Sequence, residues 1–177
     1  MRISYSEDED FGGQFELWQA NCRRSLQGKA GQSALQELEA ALLAMPDKRL
    51  IANKLIDAEG DVCSLGALAK YKGHELTVPK GMTADGFEDF DEIDLSGEME
   101  DFGVELGMPR LVAWKVVELN DVQIDGHYVP FIGPIKEIGY RRPQVFIPTT
   151  PEERYEKVLA WVRKQLSSER KVSKATG

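Results

Sequence analysis

The chain has 177 residues, of which 42% are apolar and 29% charged, so it is long enough for one ordinary domain and is not expected to be disordered. No apolar run approaches the roughly 20 residues that span a bilayer, and the N-terminus lacks the apolar stretch of a secretory signal, which predicts a cytoplasmic protein without membrane contact. The net charge of −8 is unevenly placed, because residues 84–105 hold ten acidic residues and no Lys or Arg. Residues 84–105 are called the acidic segment below.

Two helices are predicted in the first 46 residues. The first covers residues 11–26, where apolar residues recur every three or four positions, and Gly28 is typical of a helix end. The second covers residues 33–45, with a capping box at Ser33 and Gln36, and Pro46 stops it. The five residues GKAGQ between them predict an antiparallel helical hairpin.

A third helix is predicted at residues 63–69, ending at Gly73. The preceding DKRLIANKLID stretch (47–57) is compatible with either a short helix or an extended segment. Residues 74–78 predict a short strand that ends at Pro79. Cys22 and Cys63 fall among apolar positions and form no C-x-x-C pair, so we expect two buried thiols, with a disulfide between them as the alternative.

Three further helices are predicted from the second half of the acidic segment onward. Residues 98–106 form one that Gly107 ends, and residues 110–119 form the next, with Pro109 in its first turn. The last starts at Thr150, where a cap residue, a proline and a carboxylate at the third helical position occur together. Residues 171–177 form a basic tail.

A loop-rich insertion, residues 122–148, separates the last two helices. The pair Asp125-Gly126 predicts a two-residue turn between strands 122–124 and 127–129. We therefore predict a mainly α compact helical bundle in one domain, residues 1–170, with a small β-hairpin insertion and with an α+β fold as the alternative. The predicted core is Phe15, Trp18, Leu35, Leu38, Leu42, Leu65, Leu68, Val112, Trp114, Leu159 and Val162.

Three stretches carry a resemblance to a known family. They are RISYSEDEDFGGQFELWQANCRRSLQGKAGQSALQELEAALLAMPDKRLI, GDVCSLGALAKYKG and TPEERYEKVLAWV, and together they cover roughly half of the chain. In these stretches the chain resembles a family of uncharacterised accessory proteins encoded by tailed phages and prophages. The resemblance implies a phage accessory protein in the cytoplasm of a host cell. It implies no activity and no catalytic residue, and residues 122–148 depart from the family pattern.

Motifs for catalysis and for metal binding are missing. The chain has no G-x-S-x-G, no P-loop and no G-x-G-x-x-G. The two histidines, His74 and His127, and the two cysteines are too far apart in sequence to form a ligand pair. We therefore predict no catalytic residue, no metal site and no cofactor, and expect a protein that is not an enzyme. An enzyme whose site assembles from distant residues is an alternative.

A nucleic-acid-binding regulator is a second alternative, because the two helices around Gly107 are spaced like a helix-turn-helix. The second of them offers only Arg110 and Lys115 to a phosphate backbone, and it follows ten carboxylates. A reader of DNA needs Arg, Asn or Gln at the exposed N-terminal positions of that helix. Two packed helices joined by a glycine turn are the favoured interpretation, and nucleic acid is an unlikely partner.

The acidic segment and the hairpin insertion are the predicted contact surfaces. Closely spaced carboxylates attract a basic surface and speed encounter with it, and Tyr and Arg are enriched at interface hot spots. We therefore expect binding to a host or phage protein, such as a host defence or transcription component that the chain would inhibit. The expected partner-binding residues are Glu88, Asp89, Asp91, Glu92, Asp94, Tyr128, Tyr140, Arg141 and Arg142.

Overall fold

The computed structural model describes residues 14–77, 95–124, 126–130 and 144–175. Within these residues the chain is mainly helical, with one small two-stranded antiparallel hairpin, as the sequence predicts. The helices are α1 Gln14–Gln27, α2 Lys29–Ala44, α3 Ser64–Tyr71, α4 Leu95–Glu105, α5 Arg110–Glu118 and α6 Pro151–Ala175. A π-helical turn, Leu119–Gln123, extends α5, and the strands are β1 Gly126–Pro130 and β2 Gln144–Pro148.

The corner between α1 and α2 differs from the prediction. Gly28 alone separates the two helices, in an extended conformation with φ −69° and ψ 157°, and α2 begins at Lys29. The predicted capping box at Ser33 is therefore wrong, and GKAGQ is not a hairpin loop. The amide of Gln32 donates to the Leu26 carbonyl over 2.7 Å, which satisfies a backbone group at the end of α1. The corner is therefore closed by the Gln32 side chain, which lies six residues after the carbonyl that it bonds. No local capping motif predicts this contact.

The centre of the core lies between α2, α3, α5 and α6. The apolar stripe of α2 packs against α3 and α6, and its Leu35, Leu38 and Leu42 are fully buried. The predicted core residues Leu65, Leu68, Val112, Leu159 and Val162 are also buried. Trp18 and Trp114 are half-buried and meet edge to face, with ring centroids 4.5 Å apart. The side chain of Phe15 lies outside the described residues.

The segment between α2 and α3 is extended and turning, which decides between the two conformations that its sequence allows. The Leu50 N–H donates to the Pro151 carbonyl over 2.9 Å, and the Ile51 N–H donates to the Val62 carbonyl over 3.1 Å. Long-range backbone bonds therefore replace the local bonds of a helix. Residues 74–77 form no strand, so that prediction is wrong there, and Val78 lies outside the described residues.

Helices α3, α4 and α5 end or begin largely as predicted. The thiol of Cys63 caps α3 by accepting a hydrogen bond from the Gly66 N–H, at 3.4 Å. Gly107 follows α4 with φ +90°, a conformation that favours glycine.

Pro109 stands at the N-cap of α5, one position before the predicted first turn. A Cβ at Gly103 would lie 2.6 Å from the Ala113 Cβ, so the missing side chain lets α4 and α5 approach closely.

A hairpin exists, but it pairs different strands from the predicted ones. Gly126 belongs to β1 and pairs with Pro148, and Tyr128 pairs with Phe146. The predicted first strand, residues 122–124, lies largely in the π-helical turn instead, and Asp125 is outside the described residues. A Cβ at Gly126 would meet the Phe146 ring at 2.5 Å, so this glycine serves a cross-strand contact and not a turn.

Helix α6 begins with the predicted capping motif. The Glu153 N–H donates to the Thr150 hydroxyl over 3.2 Å, and the Thr150 N–H donates to the Glu153 carboxylate over 3.1 Å. The helix continues to Ala175 and so includes residues 171–175 of the basic tail.

Candidate functional site

Most of the predicted partner-binding residues fall outside the described part of the chain. These are Glu88, Asp89, Asp91, Glu92 and Asp94 of the acidic segment, with Tyr140, Arg141 and Arg142 of the insertion. Tyr128 lies in β1 opposite Phe146, and only its backbone is described. The described parts of the two predicted surfaces are therefore α4, in the acidic segment, and the two strands of the hairpin, in the insertion.

Helix α4 carries the described carboxylates of the acidic segment. Asp101 and Glu105 are exposed, and the Asp101 carboxylate lies 2.6 Å from the Arg110 guanidinium of α5. Lys115, the other cation of α5, lies 2.6 Å from the Glu118 carboxylate. Both cations of the alternative helix-turn-helix interpretation are thus neutralised by neighbouring acids. This arrangement does not favour binding to a phosphate backbone.

The hairpin presents apolar side chains on both of its faces. Phe146 and Ile147 are 38% and 41% exposed, and consecutive residues of a strand project to opposite sides. In the described part of the chain, the two strands contact chiefly each other, and no helix packs extensively on them. Exposed aromatic and aliphatic side chains on a small ribbon are typical of a contact surface.

A buried polar cluster lies where the π-helical turn meets the α2–α3 segment. Asn120 is 1% exposed, and its amide donates to the Ile51 carbonyl over 2.9 Å and to the Asp121 carboxylate over 2.6 Å. The same carboxylate oxygen accepts the Asn53 N–H over 3.0 Å, and Asn53 has φ +60°. The buried guanidinium of Arg154 donates to the Asn120 carbonyl. A π-helical turn and a left-handed non-glycine residue often mark functional sites.

Burial perturbs the carboxyl group and the thiol in this region. Burial raises the pKa of Asp121, while the hydrogen bonds from Asn53 and Asn120 oppose that rise. Burial also raises the pKa of the nearby Cys63 thiol to about 12, so this thiol is protonated at neutral pH and is a poor nucleophile. This cluster was not predicted from the sequence, although the polar Asn120-Asp121 pair directly after an apolar helix is a signal for it.

Histidines and cysteines form no site among the described residues. No three His, Cys, Asp or Glu side chains in this part of the chain could hold one metal ion together. His74 and His127 are both exposed. Cys22 and Cys63 are buried free thiols, so they do not form the alternative disulfide.

One cleft of about 270 Å³ opens between α2, α3 and the segment that joins them. Its floor is apolar and made mostly of small side chains, and charged side chains stand around its mouth. We call it the α2–α3 cleft. It is lined by Ala41, Ala44, Met45, Pro46, Asp47, Arg49, Gly60, Asp61, Val62, Ala67, Lys70 and Tyr71.

No protein-family model, curated protein or solved structure matches the chain. Within the described residues, none of the helices combines the length and the apolar character needed to cross a membrane. Function therefore has to be inferred from the placement, exposure and charge of this chain's own residues.

Proposed function

We propose that the chain is a phage-encoded accessory protein that binds another protein, through the acidic segment and the hairpin insertion. The partner is a host or phage protein with a basic surface, such as a host defence or transcription component that the chain inhibits inside the host cell. The phage origin rests on the resemblance of the three stretches named above.

The observation that carries this proposal is the uninterrupted acidity of residues 84–105. Ten carboxylates without a single Lys or Arg produce a local negative potential, whereas the rest of the chain holds 20 acids and 22 bases. Such a potential accelerates encounter with a basic surface and discriminates against acidic ones. At the described end of the segment, Glu105 of α4 is exposed, whereas the exposed Asp101 is paired with Arg110 of α5.

The hairpin supplies the apolar contacts that a charged surface lacks. Charge governs mainly the rate and selectivity of encounter, while buried aromatic and aliphatic anchors slow dissociation. The exposed Phe146 and Ile147 side chains are suited to that role. The neutralised cations of α5 make nucleic acid the weaker candidate, and its test is a gel shift on random duplex DNA at low salt.

A capture experiment from host lysate tests the acidic surface. The wild-type chain is compared with a variant in which Asp89, Asp91 and Asp94 are changed to Asn and Glu92 to Gln. The matched control changes the other acidic run, Glu7 to Asp10, to the corresponding amides, because it removes four negative charges elsewhere in the chain. Proteins recovered with each variant are quantified by mass spectrometry.

We expect at least one host protein to be recovered with the wild type and the control variant but lost with the first variant. Its recovery should also fall as salt rises, because an electrostatic contact is screened. Equal recovery with all three chains would remove the acidic segment from the proposal.

A further inference from the structure

We propose that the α2–α3 cleft binds a small organic carboxylate with an apolar body about the size of one ring. The cleft lies outside the acidic segment and the hairpin, so this inference is independent of the protein-binding proposal. It rests on two features of the cleft, an apolar floor and a mouth with uncommitted hydrogen-bond donors.

The floor of the cleft can take an apolar group. Ala41, Val62 and Ala67 are nearly fully buried and expose only their remaining methyl surface to the cleft, and Met45 adds a polarisable thioether. The ring of Tyr71, which is 52% exposed, stands at the edge. A cleft of about 270 Å³ with such a lining has room for one aromatic or branched aliphatic group.

Two cations at the mouth retain free donors. Arg49 reaches the carboxylates of Asp61 and Glu152 through its Nε atom, at 3.3 Å and 3.7 Å. Its two terminal nitrogens donate no hydrogen bond to another described residue. The Lys70 ammonium donates to the Gly60 carbonyl over 2.9 Å and lies in no ion pair within the described ranges. The terminal nitrogens of Arg49 and the remaining hydrogens of the Lys70 ammonium can donate to a carboxylate.

The acids at the mouth set a further condition. Asp61 and Glu152 already lie near the Arg49 Nε atom, so an incoming carboxylate shares the guanidinium with them. Asp47 is exposed and has no ion-pair partner among the described residues, so its charge opposes an incoming carboxylate. The donors of Arg49 and Lys70 therefore predict that the cleft binds a carboxylate. The negative charge of Asp47 should lower the affinity of this binding.

The test is an NMR titration of the full ¹⁵N-labelled chain with phenylacetate, compared with its neutral counterpart phenylacetamide. We expect phenylacetate to shift the amides of Ala41, Ala67 and Lys70 with a Kd of about 1 mM, as is usual for about ten non-hydrogen atoms. Phenylacetamide should bind several-fold more weakly. Arg49→Gln and Lys70→Gln should each weaken phenylacetate binding about threefold, the typical size of an exposed ion pair.

Two variants sharpen the test, and one serves as the control. Asp47→Asn should tighten phenylacetate binding about twofold, since it removes the opposing charge. Ala44→Leu should abolish binding, because it places a larger side chain in the cleft at an exposed helix position that tolerates leucine. Lys29→Gln removes a cation at the other end of α2 and should change nothing. Equal binding of the two compounds, no shift at the cleft amides, or unchanged binding in Arg49→Gln and Lys70→Gln would each overturn the proposal.

Discussion

The backbone N–H of Asn53 donates a hydrogen bond of 3.0 Å to the Asp121 carboxylate, across 68 positions of sequence. Asn53 has φ +60°, a left-handed conformation that Asn tolerates better than most residues. Together with the bond from the Asn120 amide to the Ile51 carbonyl, this contact ties the segment between α2 and α3 to the end of α5. The segment has no helix of its own, so these bonds determine much of its path.

Removing the Asp121 carboxylate should loosen this connection. Asp121→Ala leaves the Asn53 N–H and one Asn120 amide hydrogen without their acceptor, which should cost about 1–3 kcal/mol of unfolding free energy. Asp121→Asn keeps an acceptor oxygen of the same shape and should cost much less. Urea unfolding of the three proteins at one pH measures the difference. Equal losses for Ala and Asn would contradict an acceptor role.

The pH dependence of stability should report the buried charge of Asp121. Burial raises its pKa above the ordinary value of 3.8, so the native state binds more protons than the unfolded state in the window between the two pKa values. The contribution of Asp121 is therefore fully present below the unfolded pKa and is lost as pH rises through the folded pKa. We expect the unfolding free energy of Asp121→Asn, relative to that of the wild type, to increase as pH rises. Urea unfolding of both proteins at successive pH values measures this difference. A constant difference would be inconsistent with a raised pKa.

The capping box of α6 should contribute measurably to stability. Thr150→Ala removes the hydroxyl that accepts the Glu153 N–H and should lower the unfolding free energy by about 1 kcal/mol. Thr77→Ala is the matched control, because Thr77 is exposed in a segment without regular structure, and it should change stability by less than about 0.5 kcal/mol. Similar losses of unfolding free energy in Thr150→Ala and Thr77→Ala would show that the capping hydrogen bond does not stabilise the fold.

The corner between α1 and α2 should reject a side chain at Gly31 but not at Gly28. A Cβ at Gly31 would lie 2.0 Å from the Ser25 carbonyl oxygen, a backbone atom that cannot move without opening the corner. Gly31→Ala should therefore cost about 2 kcal/mol or more, despite the better helix propensity of alanine. At Gly28 the closest atom is the Arg24 carbonyl oxygen at 3.3 Å, so Gly28→Ala should cost less than about 1 kcal/mol. Thermal unfolding of the wild type and both variants measures the two losses of stability. A loss for Gly28→Ala as large as that for Gly31→Ala would contradict this explanation.

Both thiols should resist alkylation in the folded chain. Cys63 is 1% exposed and its pKa is about 12, and burial also raises the pKa of Cys22. Since the thiolate is the reactive form, iodoacetamide at pH 8 should label neither residue in native protein and both in concentrated urea. Peptide mass spectrometry measures the labelling. Rapid labelling of native Cys63 would show that the α3 N-terminus opens readily.

Several structural features were predicted correctly from local signals in the sequence. The stripe of Leu35, Leu38 and Leu42, the glycine stop at Gly107 and the Thr150 capping box all involve residues within a few positions of each other. The strand pairing of the hairpin was predicted wrongly, because β1 pairs with residues 144–148 and not with residues 122–124 across a two-residue turn. The start of α2 was also predicted wrongly, since the Gln32 side chain and the absent Cβ of Gly31 shape that corner.

By itself, the sequence determined the helical class, most of the helix ends and the placement of ten carboxylates in one segment, because periodicity, caps and charge are properties of neighbouring residues. Only the tertiary structure decided the polar cluster around Asp121, the pairing of Arg110 with Asp101 and the cleft between α2 and α3. Each of these depends on groups that packing brings together from separate elements. Hydrogen bonds, ion pairs and cavities of that kind produce no recurring pattern of residues in the sequence, so they could not be predicted from it.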